Sequence, residues 1–221
     1  MKYLIVEMTS ELKAIVVGDD RVGKLKFILV YTTSCSFDDC VPTVFDNFSC
    51  PISINNKTFQ MNLWLQSGSD YLDELRPISY SETDCFVVCF SIENEESFER
   101  VRTKWVPEIR SNCGDENPKI VLVGTKCDLR DNPSAIETLK KQGRELVTKE
   151  MIEAMRKEVG ALAACECSAL TQVGLKEVFE IIAKAGLGLL DDVNDDEENV
   201  VQTNKHKKGM FAKIFGKKSK K

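Results

Sequence analysis

VVGDDRVGKLKF (residues 16–27) carries two glycines and a lysine in the spacing G-x-x-x-x-G-K, running from Gly18 to Gly23 and Lys24. A loop of this spacing cradles phosphate because its backbone N–H groups turn inward and the lysine adds a cation. An apolar run, LKAIVVG (12–18), precedes it, and KFILVYTT (26–33) follows with the pattern of a helix whose first amides would face the phosphate. Asp20, Arg21, Val22 and Lys26 complete the segment that would surround such a ligand. The position after the lysine, where these loops carry a hydroxyl that holds magnesium, is Leu25. Binding a nucleotide and acting on it are therefore separate questions for this chain.

With 221 residues, 43% of them apolar and 29% charged, the chain has material for one sizeable core and a tail. Its longest apolar runs are strand-sized, well below the ~20 residues that cross a bilayer. An acidic residue interrupts the N-terminal run MKYLIVEMTSELKAIVVG, and no small-residue cleavage site follows, so a cytoplasmic protein without a signal peptide is expected. The nine cysteines are odd in number and irregular in spacing, which points to buried free thiols. His206 is the sole histidine, which excludes His-dependent triads and argues against a His-containing metal site. The net charge of −5 hides an asymmetry: residues 205–221 hold eight lysines and no acid, leaving 22 basic against 35 acidic residues elsewhere.

Strand-like runs recur at 12–18, 59–65, 84–91, 119–125 and 163–169, with amphipathic stretches at 96–113, 148–160 and 175–190. That alternation predicts a mostly parallel sheet covered on both faces, with ligands at the carboxyl ends of the strands. The Gly18 loop, the Gly68 turn, the Lys126 loop and the Ser168 turn would converge there. VGTKCDL (123–129) sets Thr125, Lys126, Asp128 and Leu129 after a strand. An aspartate so placed can accept from the ring N–H and exocyclic amine of guanine, while the lysine stem packs along the base. ECSAL (166–170) supplies Ser168, Ala169 and Leu170, with the Ala169 amide facing the guanine carbonyl.

From about Leu12 to Leu190 the chain resembles the Rho/Rac branch of the Ras-like small GTPases. VPTVFDNFS (41–49) looks like the first switch and effector loop, LRPISYSETDCFVVCFS (75–91) like the segment after the second switch, and ALTQVGLKEVF (169–179) like the last loop and helix. Residues 132–149 resemble the helical insert that marks the Rho branch. The resemblance implies a P-loop NTPase (Ras-like) α/β fold: a mostly parallel six-stranded sheet with helices on both faces, filling residues 1–190. It also implies GTP or GDP as ligand, a monomer, and signalling of the cytoskeletal or membrane-traffic kind. Protein effectors or regulators would be met through Val44, Phe45, Asp46, Asn47, Phe48 and Trp64.

The departures from that family fall on the chemistry. Members hold Mg²⁺ with a Ser/Thr after the loop lysine and an aspartate at the start of the second switch, positions that here are Leu25 and Leu65. Thr43 survives in the first switch, but one hydroxyl does not rebuild an octahedral set of oxygens, so Mg²⁺ binding is expected to be weak or absent. Ser69 stands where a glutamine orients the attacking water, beside the switch glycine Gly68. Asp20 brings a like charge near phosphate, worth roughly 4 kcal/mol at ~4 Å and an effective dielectric of ~20. Arg21 can offset it, by pairing with Asp20 or by reaching the phosphates. Ser36 replaces the aromatic that stacks on guanine, with Phe37 adjacent.

Beyond an acidic linker (191–204), the tail KHKKGMFAKIFGKKSKK (205–221) lacks the cysteine needed for prenylation. Met210, Phe211, Ile214 and Phe215 form a helical stripe among lysines, the pattern of an interfacial helix on an anionic membrane. A disordered polybasic tail is the plain alternative, and so acidic a body argues against nucleic acid as partner. Three functions follow: a pseudo-GTPase acting by partner binding, an active switch with altered metal coordination, or a nucleotide-free interaction module.

Overall fold

A computed structural model describes residues 10–33 and 47–190. The expectations for the acidic linker, the basic tail, Ser36, Phe37, Thr43, Val44, Phe45 and Asp46 lie outside the described residues.

Six strands form one sheet in the order β2-β3-β1-β4-β5-β6. They are β1 (Glu11–Gly18), β2 (Asn47–Ile54), β3 (Lys57–Leu65), β4 (Cys85–Ser91), β5 (Ile120–Thr125) and β6 (Ala163–Cys167). Only the β2–β3 pair is antiparallel. The sheet is thus mostly parallel, as the alternation of segments predicts. Every residue of β4 and β5 is buried, because a central parallel strand is covered on both faces. Alternate residues serve opposite cores: Ala14 and Val16 pack with one cluster, Ile15 and Val17 with the other.

Helices α1 (Lys24–Thr33) and α6 (Leu175–Gly186) cover the first face, through Phe27, Ile28, Phe179 and Ile182. The second face is covered by α5 (Lys149–Glu158) and by a composite helix. In the latter, α2 (Glu95–Arg100) passes through a π-helical turn (Val101–Trp105) into α3 (Val106–Asn112). A π-turn holds one extra residue and re-aims the side chains after it. Here it buries Trp105 completely. In the region 132–149, α4 (Pro133–Lys141) is capped by the Asn132 side chain, while 142–148 is non-helical.

Two sequence readings need correction. Asn47 and Phe48, taken as part of a loop, lie on the edge strand β2; Phe48 pairs with Leu63 and packs on the first core. Polar and proline residues (Ser49, Pro51, Ser53) alternating with buried Cys50, Ile52 and Ile54 conceal that strand from an apolar-run search. The seven described cysteines are free, but Cys113, Cys127 and Cys165 are partly exposed. The buried ones are unreactive, since burial pushes the Cys85 and Cys89 thiols up to about 12. Among the described residues no helix is long and apolar enough to cross a membrane.

Candidate functional site

β1 ends at Gly18 with φ of +137°, and a Cβ there would lie 2.2 Å from the Cys89 carbonyl oxygen. Glycine alone permits that turn beside β4. The loop then enters α1, and Lys24 ends up 7% exposed. Its ammonium donates to the carbonyl oxygens of Gly18 and Asp19, the latter at 2.6 Å. A lysine has three donors, so one remains for a ligand. Burial pushes the Lys24 pKa down, and an anionic ligand would relieve that desolvation.

The base half is tied to the phosphate half through Thr125. Its hydroxyl, at the end of β5, reaches the carbonyl oxygens of Val22 and Phe90. Lys126 takes the left-handed conformation (φ 63°), which turns its side chain to pair with Glu93 at 2.6 Å. Ser168 is buried and donates to Asp128 Oδ1, holding the carboxylate in one orientation. Arg130 pairs with Glu166 and fixes the short helical turn Cys127–Asp131 against β6.

These elements enclose a cavity of about 690 Å³. Asp20, Arg21, Gly23, Lys24, Leu25 and Lys26 line it from the phosphate loop, Thr125, Lys126, Asp128 and Leu129 from the β5 loop, and Ala169 and Leu170 from the β6 loop. Leu65, Gln66 and Ser67 line it after β3. A volume of this size suits a small-molecule ligand. Gly18, Val22 and Ser168 are not among its lining residues. Gly68 and Ser69 stand outside its wall, and the Ser69 carbonyl accepts from Arg76 at 2.9 Å. Trp64 is partly buried on β3, with the Lys13 ammonium 5.0 Å above its ring.

Leu25 and Leu65 are partly exposed, and both line the cavity. Neither offers an oxygen. The two loop carboxylates are engaged elsewhere. Asp19 accepts from Trp105 Nε1 at 2.8 Å and pairs with Arg100 at 3.2 Å, whereas Asp20 accepts from the Gly68 amide at 2.9 Å. Arg21 lines the cavity without an ion pair to Asp20, so the pairing considered from sequence is not formed.

Residues 67–79 are fastened to α2 and α3 by charges that sequence reading passed over. Arg76 is 3% exposed. Its guanidinium donates to Ser67 O (3.0 Å), Ser69 O (2.9 Å), Asp73 (2.8 Å) and Glu108 (2.5 Å), and stacks 4.8 Å from the Trp105 ring centroid. Lys104 and Arg100 both reach Asp70. Glu93, Gln66 and Ser67 were also missed; the rule that ligands gather beyond strand ends would have marked Glu93, two residues past β4.

A phosphate loop, a base-reading loop and a shared cavity at the carboxyl edge of a mostly parallel sheet define a nucleotide-binding P-loop domain. The model of the Ras family matches residues 13–187. The chain belongs to the Ras family, which implies GTP or GDP binding and places it among the small GTP-binding proteins. The residues present fit that ligand: Lys24 and the Gly23–Lys26 turn would meet phosphate, and Asp128 and Ala169 would meet the base, all of them on the cavity lining.

Proposed function

We propose that this chain is a Rho-like signalling protein that binds guanine nucleotide, hydrolyses it poorly or not at all, and works by presenting a surface to protein partners. The observation that carries this is the pair Leu25 and Leu65 on the wall of an otherwise assembled cleft. Magnesium requires oxygen ligands in near-octahedral geometry, and phosphoryl transfer consists largely of metal electrostatics and positioning. The donor set here does not fit the metal, and Ser69, whose backbone is held by Arg76 and Ser67, is not among the residues that line the cavity. The surface for partners includes Tyr71, Leu75 and Ile78, which are 97%, 61% and 75% exposed. Large apolar side chains clustered on a pinned segment mark a protein contact. The sequence of the basic tail supports a second attachment, to the anionic cytoplasmic face of a membrane.

Two measurements on the purified full chain test this reading: nucleotide released on denaturation, and GTP turnover against a Lys24→Ala control. Guanine nucleotide in the supernatant, with turnover no faster than the control, is expected. Magnesium-dependent turnover clearly above the control would show an active switch instead.

A further inference from the structure

The carboxylate of Asp20 holds the backbone amide of Gly68 at 2.9 Å. That amide is fixed from both sides, because Arg76 grips the carbonyl oxygens of Ser67 and Ser69 at 3.0 and 2.9 Å. The approach is so close that a Cβ on Gly68 would meet Asp20 N at 2.4 Å and Gly18 O at 2.6 Å. Gly68 follows β3, whereas the base readers follow β5 and β6 on the far side of β1 and β4. The Asp20–Gly68 contact therefore closes the end of the phosphate loop opposite the base.

We propose that Asp20 occupies, with its own negative charge, the place a terminal phosphate would take at this amide, so that the cleft accepts a nucleoside diphosphate in preference to a triphosphate. The inference rests on the guanine-nucleotide reading above and adds the length of the phosphate chain. A diphosphate needs only the loop amides and the remaining Lys24 donor. One more phosphate reaches a donor already spent and a carboxylate of like charge, without a metal ion to screen it. A second consequence is that residues 67–79 keep one arrangement whether or not nucleotide is bound.

The test is equilibrium binding of GDP and GTP, each with EDTA present, to the full chain and to its Asp20→Asn and Asp20→Gly variants. Asparagine keeps an acceptor for Gly68 and removes the charge; glycine removes both. The parent should bind GDP at least about tenfold more tightly than GTP, the ratio should fall in Asp20→Asn, and it should approach one in Asp20→Gly. Hydrogen exchange across residues 67–79, read without nucleotide, should quicken in Asp20→Gly while thermal melting stays cooperative. A parent ratio within about twofold, or a ratio unchanged in both variants, overturns the inference and leaves the guanine site standing. Failure of every form to bind either nucleotide overturns the guanine-nucleotide reading as well.

Discussion

Replacing Arg76 by alanine removes the most heavily engaged buried charge in the described structure. The side chain is 1% exposed and its partner Glu108 12%, so the pair is shielded from water. Asp73, 42% exposed, is readily rehydrated and contributes little. Glu108, by contrast, would keep only the Tyr80 hydroxyl at 2.5 Å, leaving a buried carboxylate without a cation. Removing one member of a buried pair costs about 3–5 kcal/mol. For a domain of this size that lowers the melting temperature by about 6–20 °C. The assay is urea and thermal unfolding of the parent, Arg76→Ala, Glu108→Gln and the double variant. Glu108→Gln should recover part of the Arg76→Ala loss, with a coupling energy of about 1–3 kcal/mol. Hydrogen exchange should show residues 67–79 loosening before the sheet does. A loss below about 1 kcal/mol, or strict additivity, would refute the claim that this guanidinium fastens the segment.

The magnesium positions should be recoverable only together: Leu25→Thr and Leu65→Asp alone should each leave nucleotide release insensitive to EDTA. The double variant should gain EDTA sensitivity with a coupling of about 0.5–3 kcal/mol; EDTA-sensitive release from the parent would contradict the reading of Leu25. Hydrogen bonds from Lys104 and Arg100 hold the Asp70 carboxyl at about 2, below its ordinary 3.8. A depressed carboxyl stabilises above its unfolded value and loses that contribution as pH falls, so Asp70→Asn should flatten the parent's decline in melting temperature between pH 3.8 and 2; equal slopes would count against the pairing. Anionic vesicles should capture the full chain but not one truncated after Asn204, since clustered lysines contribute about 1 kcal/mol each near such a surface. Equal capture of both would remove the tail from the mechanism.

The candidate phosphate loop and candidate base-reading loop were legible in sequence because each is a local pattern. Gly18, Gly23 and Lys24 lie within one turn of chain, and Lys126 and Asp128 are two residues apart. Five of the six strands were legible for a similar reason: apolar runs long enough for a buried parallel strand stand out from amphipathic neighbours. β2 did not, since an edge strand with one solvated face carries too few apolar residues to be seen. Leu25 and Leu65 were readable as apolar residues at the positions where metal ligands are expected, but only folding shows that both line one cavity.

What tertiary structure alone decided is the wiring between distant segments. Trp105 meets Asp19 across 86 residues, Arg76 meets Glu108 across 32, and Asp20 meets Gly68 across 48. No composition or period encodes such contacts, because a charged side chain reads the same whether it faces water or a buried partner. In sequence Asp20 was a repulsion toward phosphate with Arg21 as its candidate partner; in the fold it is an acceptor for a backbone amide. The difference arises because burying the glycine turn against the loop leaves that N–H to be satisfied by whatever acceptor packing brings within reach, and here packing brings a carboxylate.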